Sequence, residues 1–569
     1  MKWGSTVLCG SVAITGVAVA LIPTQTLAAF LTHPLLAERA GVAVREVTLE
    51  GAALLRIAGA LMALAWVGLP LLIGRLASSG APSASALSLG RRWSTAMWLA
   101  IALGVALRLA RFTESLWYDE ISALLDYAQY GAGATIGTYF VQSNHVLHTL
   151  LTAWMIELAD GVSEPILRTP ALLAGLGSIP ALWWLGREVS RGDADAGSPL
   201  APLPYLCAGA AALMPIMVLE SVEARGYSLM ILFAALSSAA LLRGIRTGGC
   251  LAFLGYALFA ALGVWTHLVF VALPLGHAIV LATRMRKANS LAGLLAICLA
   301  AITAFTLLSP LIPELVHHQS EFRALDGDEP TLFSREGLGV LLGLSGSWWW
   351  DAVFWLPLVL LGIAGVLLDR ARRIPLALTL AGLPILIVLV TLGGSWMYAR
   401  FAVFALPGAI LAGACGISDI VRGRTKAPNS ARMPYGLLMA GSVVAFAWID
   451  KVLDLPPKQP IRDAVAYIDA RADESAVVAA AGLHDNIAAY YGVIADRTID
   501  NAGYGGRGIA TLTREPEWLI VLYPHALDPA LTRDLENRWT LEASFDGWVD
   551  WGKGDVRVYR RALGLPLNP

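Results

Sequence analysis

Long apolar runs separated by short polar segments dominate the first 450 residues of the chain. An α-helix needs roughly 17–25 predominantly apolar residues to cross a bilayer. The runs lie near residues 4–22, 51–77, 93–110, 166–186, 204–220, 226–243, 250–265, 267–283, 290–308, 352–368, 375–393, 401–419 and 433–449. The pattern therefore predicts an α-helical polytopic membrane protein with about 13 transmembrane helices. We expect the first run to be a retained helix, because it is longer than the apolar part of a signal peptide.

Basic clusters between these runs give the expected orientation. Lysine and arginine concentrate in the cytoplasmic loops of membrane proteins. With thirteen crossings and a cytoplasmic N-terminus, every cluster falls on the cytoplasmic side. The clusters are Lys2, Arg91-Arg92, Arg187 with Arg191, Arg243 with Arg246, Arg284 with Arg286 and Lys287, Arg370 with Arg372 and Arg373, and Arg422 with Arg424 and Lys426. The clusters therefore predict a cell-membrane protein with its C-terminus outside.

One apolar segment, residues 145–160, does not fit this alternation. If it crossed the membrane, every basic cluster after it would change sides. We therefore predict a helix that lies along the outer interface, with Glu157 and Asp160 at its end.

The composition changes after residue 450, where prolines and charged residues become frequent and no run could span a bilayer. The pattern predicts helices at 461–471, 484–491 and 527–537, and strands at 475–481, 517–523, 540–545 and 555–560. Alternating elements of this kind indicate a small α/β domain. The predicted division is an N-terminal extra transmembrane region (1–92), a catalytic membrane domain with outward loops (93–450) and an extracytoplasmic α/β domain (451–569).

Composition supports the membrane assignment and excludes some functions. The 569 residues are 57% hydrophobic and 15% charged, whereas soluble domains carry about 25% charged residues. A net charge of −1 gives no indication of nucleic-acid binding. The five cysteines lie in or beside apolar runs without metal-type spacing, so no disulfide scaffold is expected.

The candidate chemistry is concentrated in the predicted outward loops. Asp119 and Glu120 follow the third run, and carboxylates at a membrane surface are costly unless they meet water, a metal or a substrate. A solvated helix start is the structural alternative, because acids favour the first turn of a helix.

Further outward turns carry Glu220, Glu223 and Arg225, then His267, and then Arg400. Each has a structural alternative: an ion pair, a packing histidine, or an arginine that reaches for the interface. Together they provide acids, imidazoles and cations on one face, which is what binding and cleavage of a lipid phosphate ester would require.

In order and spacing, these motifs resemble the GT-C glycosyltransferases, in particular the branch of protein O-mannosyltransferases and the lipid A aminoarabinose transferase. The resemblance covers roughly residues 93–410. Its motifs are Trp117-Tyr-Asp-Glu-Ile-Ser122, Asn144-His145 before an apolar helix, Ile166-Leu-Arg-Thr-Pro-Ala171, Glu223-Ala-Arg-Gly-Tyr-Ser-Leu229, Thr266-His267 and Tyr398-Ala-Arg-Phe401 before Leu406-Pro407. Two additional runs, 4–22 and 51–77, precede the family's usual first helix.

The resemblance implies inverting transfer of a monosaccharide from a polyprenyl-phosphate donor to a lipid, glycan or protein acceptor at the outer face of the bilayer. Asp119 corresponds to the first-loop acid, which acts as the base or orients the acceptor, and Glu120 supports it. Glu223 corresponds to the second-loop acid.

The resemblance also assigns candidate residues to the donor phosphate, namely His145, Arg225, Tyr398 and Arg400. His267 matches a histidine that can bind a divalent metal ion in the family, so such an ion is a candidate cofactor. The sequence does not name the sugar or the acceptor.

Two other functions compete with a transferase. A transporter or flippase of lipid-linked sugar would place ionisable residues at the membrane midplane in broken helices, whereas the acids here lie at loop ends. A non-catalytic scaffold presenting residues 450–569 would not need acids and arginines in the outward loops.

Overall fold

A computed structural model of the chain describes residues 3–77, 95–141, 143–190, 203–317, 360, 363, 373–393, 399–424, 445, 448–482, 487–504, 506–549 and 554–562. It divides into two compact units. The first unit comprises residues 1–110, 127–162 and 166–453, and the second comprises 111–126, 163–165 and 454–569.

Helices build the first unit. Its α-helices are Trp3–Leu21, Thr24–Leu31, Pro34–Arg39, Glu46–Leu76, Thr95–Arg111, Gly131–Gly137, Val146–Ala159, Glu164–Ser190, Leu203–Leu213, Pro215–Leu219, Tyr227–Thr247, Cys250–Thr266, Ala272–Ala282, Ala288–Leu308, Ile312–His317, Arg373–Leu380, Gly382–Gly393 and Leu406–Arg424. Short 3-10 helices occur at Ala128–Tyr130, Glu220–Val222, Leu268–Val271 and Ala399–Ala405.

Seven helices in the described part of the chain are long and apolar enough to cross a membrane, or eight if one bent pair forms a single span. The chain is thus a multi-pass membrane protein. Most of the predicted runs 352–368 and 433–449 lies outside the described residues. The segment 145–160 forms the helix Val146–Ala159, and its place at the outer interface stays a prediction.

The predicted run 204–220 is not one straight helix. It consists of Leu203–Leu213 and Pro215–Val222, which meet at an angle of 61°. Pro215 explains the break, because proline has no N–H to donate and restricts the residue before it to extended conformations. Met214 accordingly adopts φ −61° and ψ 127°.

A buried arginine, Arg108, lies at this break. Its terminal nitrogens donate to four backbone carbonyls: Gly104 (3.0 Å), Ala211 (3.0 Å), Ala212 (3.1 Å) and Met217 (3.1 Å). The carbonyls of Ala211 and Ala212 lie in the last turn of Leu203–Leu213, where a helix leaves its carbonyls without intrahelical partners.

The N-terminal helix Glu46–Leu76 packs on the helix Ala288–Leu308. Trp66 Nε1 donates to Thr303 Oγ1 at 2.9 Å, and Thr306 Oγ1 donates to the carbonyl of Ala58 at 3.1 Å. Gly16 and Gly59 allow the first two long helices to approach closely, since a Cβ on either would crowd the other helix.

The second unit contains a five-stranded sheet with the strand order β2-β1-β3-β5-β4. The strands are β1 (Val478–Gly482), β2 (Ile499–Tyr504), β3 (Trp518–Leu522), β4 (Trp539–Phe545) and β5 (Val556–Arg561). β1 pairs in parallel with β2 and β3, whereas β5 pairs antiparallel with β3 and β4. The helices of this unit are Tyr118–Asp126, Ile461–Asp469, Ala489–Ile494 and Pro529–Arg538, with 3-10 turns at Ile509–Thr511 and Pro524–Ala526.

The predicted fold class, a helical membrane protein with a small C-terminal α/β domain, is confirmed. The strand β2 is an addition, because the sequence pattern had indicated no element there. The first predicted outward segment, residues 111–126, groups with the C-terminal residues in the second unit.

Candidate active site

The centre of the candidate site in the first unit is the contact between Arg225 and His145. Arg225 Nη2 lies 3.0 Å from His145 Nε2, and Arg225 Nη1 donates to the carbonyl of Ser143 at 2.6 Å. Both side chains are buried. Arg225 is thereby fixed against the segment that leads into the helix Val146–Ala159.

A glycine allows this contact. The backbone N–H of Gly226 donates to His145 Nδ1 at 2.7 Å. A Cβ on Gly226 would lie 2.9 Å from His145 Cβ and 2.7 Å from Thr266 Cγ2, closer than side chains approach. Because both atoms belong to packed neighbours, Gly226 is required for its segment to reach His145.

Aromatic and imidazole rings surround the pair. The His145 ring centroid is 4.8 Å from that of Tyr227 and 4.7 Å from that of His267. The His267 ring lies 5.0 Å from the Phe401 ring. The cluster is therefore built from four separate segments of the first unit.

Arg400 brings a second cation to this cluster. Its guanidinium carbon is 6.0 Å from the Tyr227 ring centroid, the same distance as that of Arg225. Two guanidiniums thus lie beside one aromatic ring. The ring attracts each of them, whereas the two positive charges repel each other. A bound anion between them would remove that repulsion.

The environment of His145 keeps it neutral. Its pKa lies well below the usual value of 6.5, first because burial disfavours the charged ring and then because Arg225, His267, His148 and Arg400 are close. His145 Nδ1 accepts from the backbone N–H of Gly226 and therefore carries no proton, which a doubly protonated imidazolium would not allow.

The predicted acid Glu223 lies two residues before Arg225 and is buried. Its backbone carbonyl accepts from the N–H of Arg225 at 2.7 Å, which makes a tight turn. Glu220 is also buried, and its carbonyl accepts from Ser228 Oγ at 2.6 Å. Tyr398, predicted to bind the donor phosphate, lies outside the described residues.

Asp119 and Glu120 belong to the second unit, where they form the first turn of the helix Tyr118–Asp126. Glu120 is 1% exposed, and its Oε2 accepts from the backbone N–H of Trp117 at 3.1 Å. This carboxylate stabilises the start of its own helix. Asp119 is half-buried.

The segment around Asp119 is held by C-terminal residues of the same unit. Leu116 N–H donates to the Tyr491 hydroxyl at 2.7 Å, and Tyr118 N–H donates to Gln459 Oε1 at 2.9 Å. Lys458 Nζ lies 4.2 Å from the Trp117 ring centroid. The helix start that presents Asp119 is therefore fixed on several sides.

Comparison with known proteins identifies similarity to solved structures at low sequence identity. No family model matches the chain, and no curated protein sequence does either. Among solved structures, it is similar to apo ArnT from Cupriavidus metallidurans (TM-score 0.48, 14% identity, covering 83% of this chain and 99% of that one).

Two further structures give comparable values. ArnT from the same organism bound to undecaprenyl phosphate has a TM-score of 0.46 at 14% identity, covering 84% of this chain and 100% of that one. The apo oligosaccharyltransferase from Archaeoglobus fulgidus has 0.48 at 11% identity, covering 77% and 70%.

These are GT-C glycosyltransferases, the family that the sequence motifs resemble.

The residues around His267 do not suit a divalent cation. The described part of the chain contains no group of three histidine, cysteine, aspartate or glutamate side chains that could hold a metal. The neighbouring His145 already directs both ring nitrogens at Gly226 and Arg225. Two guanidiniums beside these rings would also repel a second cation.

Tyr227, Gly226 and Phe401 were not among the predicted site residues. All three lie in the motifs that supplied Arg225 and Arg400, one or two positions away. Their place beside Arg225 and Arg400 in the sequence could have identified them, because the residues next to a functional side chain help to set its position.

Proposed function

We propose that the protein is a membrane glycosyltransferase that moves a monosaccharide from a polyprenyl-phosphate donor to an acceptor at the outer face of the cell membrane. The acceptor is a lipid, a glycan or a protein. Arg225 and Arg400 bind the donor phosphate, and Asp119 takes the proton from the acceptor hydroxyl.

The observation that carries this proposal is the pair of guanidiniums around Tyr227. Arginine binds phosphate through a planar set of donors, and its charge is permanent. Two such cations beside one aromatic ring and the neutral, buried His145 favour an anionic ligand. A phosphate ester at the membrane surface meets this requirement.

The reaction then needs no nucleotide-binding fold. The acceptor oxygen forms a bond to the anomeric carbon from the face opposite the phosphate. The bond from that carbon to the phosphate oxygen breaks, and its electron pair leaves with the polyprenyl phosphate. Asp119 receives the acceptor proton, while the arginines stabilise the departing phosphate. Attack from the opposite face inverts the anomeric centre.

His145 acts on the phosphate through Arg225. Both of its ring nitrogens are directed at protein donors, so it is a positioning residue. Glu223, two residues from Arg225, is proposed as the second acid, which orients the acceptor. No step of this reaction uses a metal ion.

A transporter of lipid-linked sugar is the second candidate, because the bent pair Leu203–Leu213 and Pro215–Val222 resembles the broken helices of transporters. In transporters, the carbonyls freed by such a break coordinate the substrate or ion. Here Arg108 occupies the carbonyls of Ala211, Ala212 and Met217. The break is therefore filled by a protein side chain, which favours the transferase.

A single assay separates these functions. Purified protein in liposomes would be given radiolabelled polyprenyl-phosphate mannose, arabinose or galactose together with a membrane extract. A transferase forms a labelled product that no longer carries the polyprenyl chain. A flippase moves the labelled lipid between leaflets without forming a product, and a scaffold does neither.

A further inference from the structure

The N-terminal region, which lies outside the motifs shared with glycosyltransferases, contacts the segment that carries His145. This segment, residues 127–145, is called the His145 loop below. Gly133 and Gly137 of the loop face the backbone carbonyls of Phe30 and Leu31, and a Cβ on either glycine would overlap the carbonyl oxygen. The two backbones can lie so close only because both positions are glycine.

A second contact is made by His33, which is 1% exposed. Its ring centroid lies 4.4 Å from that of Tyr130, 5.4 Å from that of Phe140 and 6.4 Å from that of Tyr127. Three aromatic rings of the His145 loop thus surround one side chain of the N-terminal region.

An ion pair makes the third contact. Arg45, at the start of the helix Glu46–Leu76, donates to Glu314 Oε1 at 2.7 Å. The other oxygen of Glu314 accepts from the backbone N–H of Tyr139 in the His145 loop at 2.6 Å. Glu314 is buried, so both bonds lie in a low-dielectric environment where such contacts are strong.

Hydrogen bonds continue from these contacts to the candidate site. The Tyr127 hydroxyl donates to the carbonyl of Val141 at 2.8 Å. Asn144 Nδ2 donates to the carbonyls of Thr135 (3.0 Å) and Thr138 (3.1 Å). Asn144 precedes His145, and the Ser143 carbonyl accepts from Arg225. The conformation of the loop thereby sets the position of Arg225.

We propose that residues 24–45 clamp the His145 loop, and that His33, Gly133 and Glu314 are positioning residues for the donor-binding arginine. The expected change in donor affinity rests on the proposed function. The clamp itself can be tested by hydrogen exchange, which does not depend on that function. Residues 24–45 connect the two additional N-terminal runs, which thereby gain a role as the anchors of the clamp.

The test compares His33→Ala with His33→Phe, which restores a ring of similar shape. A second comparison sets Gly133→Ala against Gly68→Ala, because Gly68 has open space around its Cβ position. Two quantities are measured on the full-length protein: the affinity for undecaprenyl phosphate, and the amide hydrogen exchange of residues 127–145.

We expect His33→Ala and Gly133→Ala to speed exchange in residues 127–145. They should also weaken binding of undecaprenyl phosphate about tenfold, as displacement of one charge-assisted contact implies. In a transfer assay, KM for the donor should rise while kcat at saturating donor stays within a few-fold. His33→Phe and Gly68→Ala should resemble the wild type in both measurements.

Unchanged exchange in His33→Ala and Gly133→Ala would overturn the clamp, whatever the protein binds. Faster exchange with unchanged affinity would overturn the positioning role of the loop. If the wild type did not bind undecaprenyl phosphate, the proposed function would fail, and the exchange measurement would still decide whether the clamp exists.

Discussion

Arg225 and His145 are 80 residues apart in the chain, yet their side-chain nitrogens Nη2 and Nε2 lie 3.0 Å apart. The contact joins the start of one long helix to the loop before another. Because the neighbouring Gly226 donates to the other ring nitrogen of His145, a single imidazole orders both a cation and a backbone turn. Predictions about donor binding follow from this arrangement.

Arg400→Ala should weaken donor binding. Losing one charge-assisted contact costs about 1.5–3 kcal/mol, which corresponds to roughly tenfold or more in affinity. Isothermal titration with undecaprenyl phosphate measures the change. Arg286→Ala, which removes an exposed arginine elsewhere in the first unit, is the control and should bind like the wild type. An unchanged affinity in Arg400→Ala would remove this residue from the site.

Asp119→Asn should abolish most turnover while donor binding persists. Asparagine keeps the shape but cannot take a proton, so we expect kcat to fall about 10²-fold or more. Asp126→Asn is a matched control on the same helix, because asparagine there can still accept from the Ser122 hydroxyl. If Asp119→Asn were active within a few-fold of the wild type at equal protein level, another residue would have to be the base.

The stability of the protein should depend on pH through His145. Its pKa in the folded protein lies well below the value of 6.5 expected in the unfolded chain. As the pH falls below about 6.5, the unfolded chain binds a proton that the folded protein does not, so the free energy of unfolding decreases. The slope for one such group is at most about 1.4 kcal/mol per pH unit.

His145→Asn removes this titration but keeps an oxygen that can accept from Gly226. The melting temperature of the variant should therefore fall less than that of the wild type between pH 7.5 and pH 5. Thermal unfolding in detergent at several pH values measures both. Parallel curves for the two proteins would contradict a neutral, buried His145.

Topology is tested by labelling. Ser475 is exposed in the second unit, and Ala288 is exposed at a predicted cytoplasmic turn of the first. In a background in which the exposed Cys298 is replaced by serine, Ser475→Cys should react with an impermeant thiol reagent in intact cells, and Ala288→Cys should not. The reverse pattern would place the C-terminal domain in the cytoplasm.

Activity should not depend on an added metal ion. The two arginines beside His267 and the occupied ring nitrogens of His145 leave no suitable set of ligands among the described residues. Treatment with EDTA followed by gel filtration should leave transfer unchanged. Loss of activity that only a divalent cation restores would show that a ligand set exists elsewhere.

Hydropathy and charge predicted the helical membrane part and the C-terminal α/β domain, because a bilayer imposes length and polarity on each crossing. The bend at Met214 was missed although Pro215 marks it, since a window average over an apolar run is insensitive to one proline. β2 was missed for a related reason: Ile499–Tyr504 contains Asp500, Asn501 and Gly503, which are depleted in strands. Pairing with β1 determines this strand more than its own composition does.

The sequence motifs identified Arg225, Arg400, His145 and His267 as candidate site residues. The structure brings these four side chains into one cluster in the first unit. What the sequence could not supply was the role of each side chain. Glu120 was predicted to support Asp119, and the motif gave no indication that its carboxylate accepts from the N–H of Trp117 at its own helix N-terminus. His33 gave no signal, because its partners lie about a hundred residues later and depend on tertiary packing.

The segment that presents Asp119 depends on partners synthesised much later. Tyr118 and Gln459 are 341 residues apart, and Leu116 and Tyr491 are 375 apart. At 5–20 residues per second, the ribosome needs roughly 20–70 s to make the intervening chain. The proposed catalytic base is therefore fixed in place only after the membrane helices have been made, so a nascent protein lacks an ordered base until Gln459 and Tyr491 have emerged.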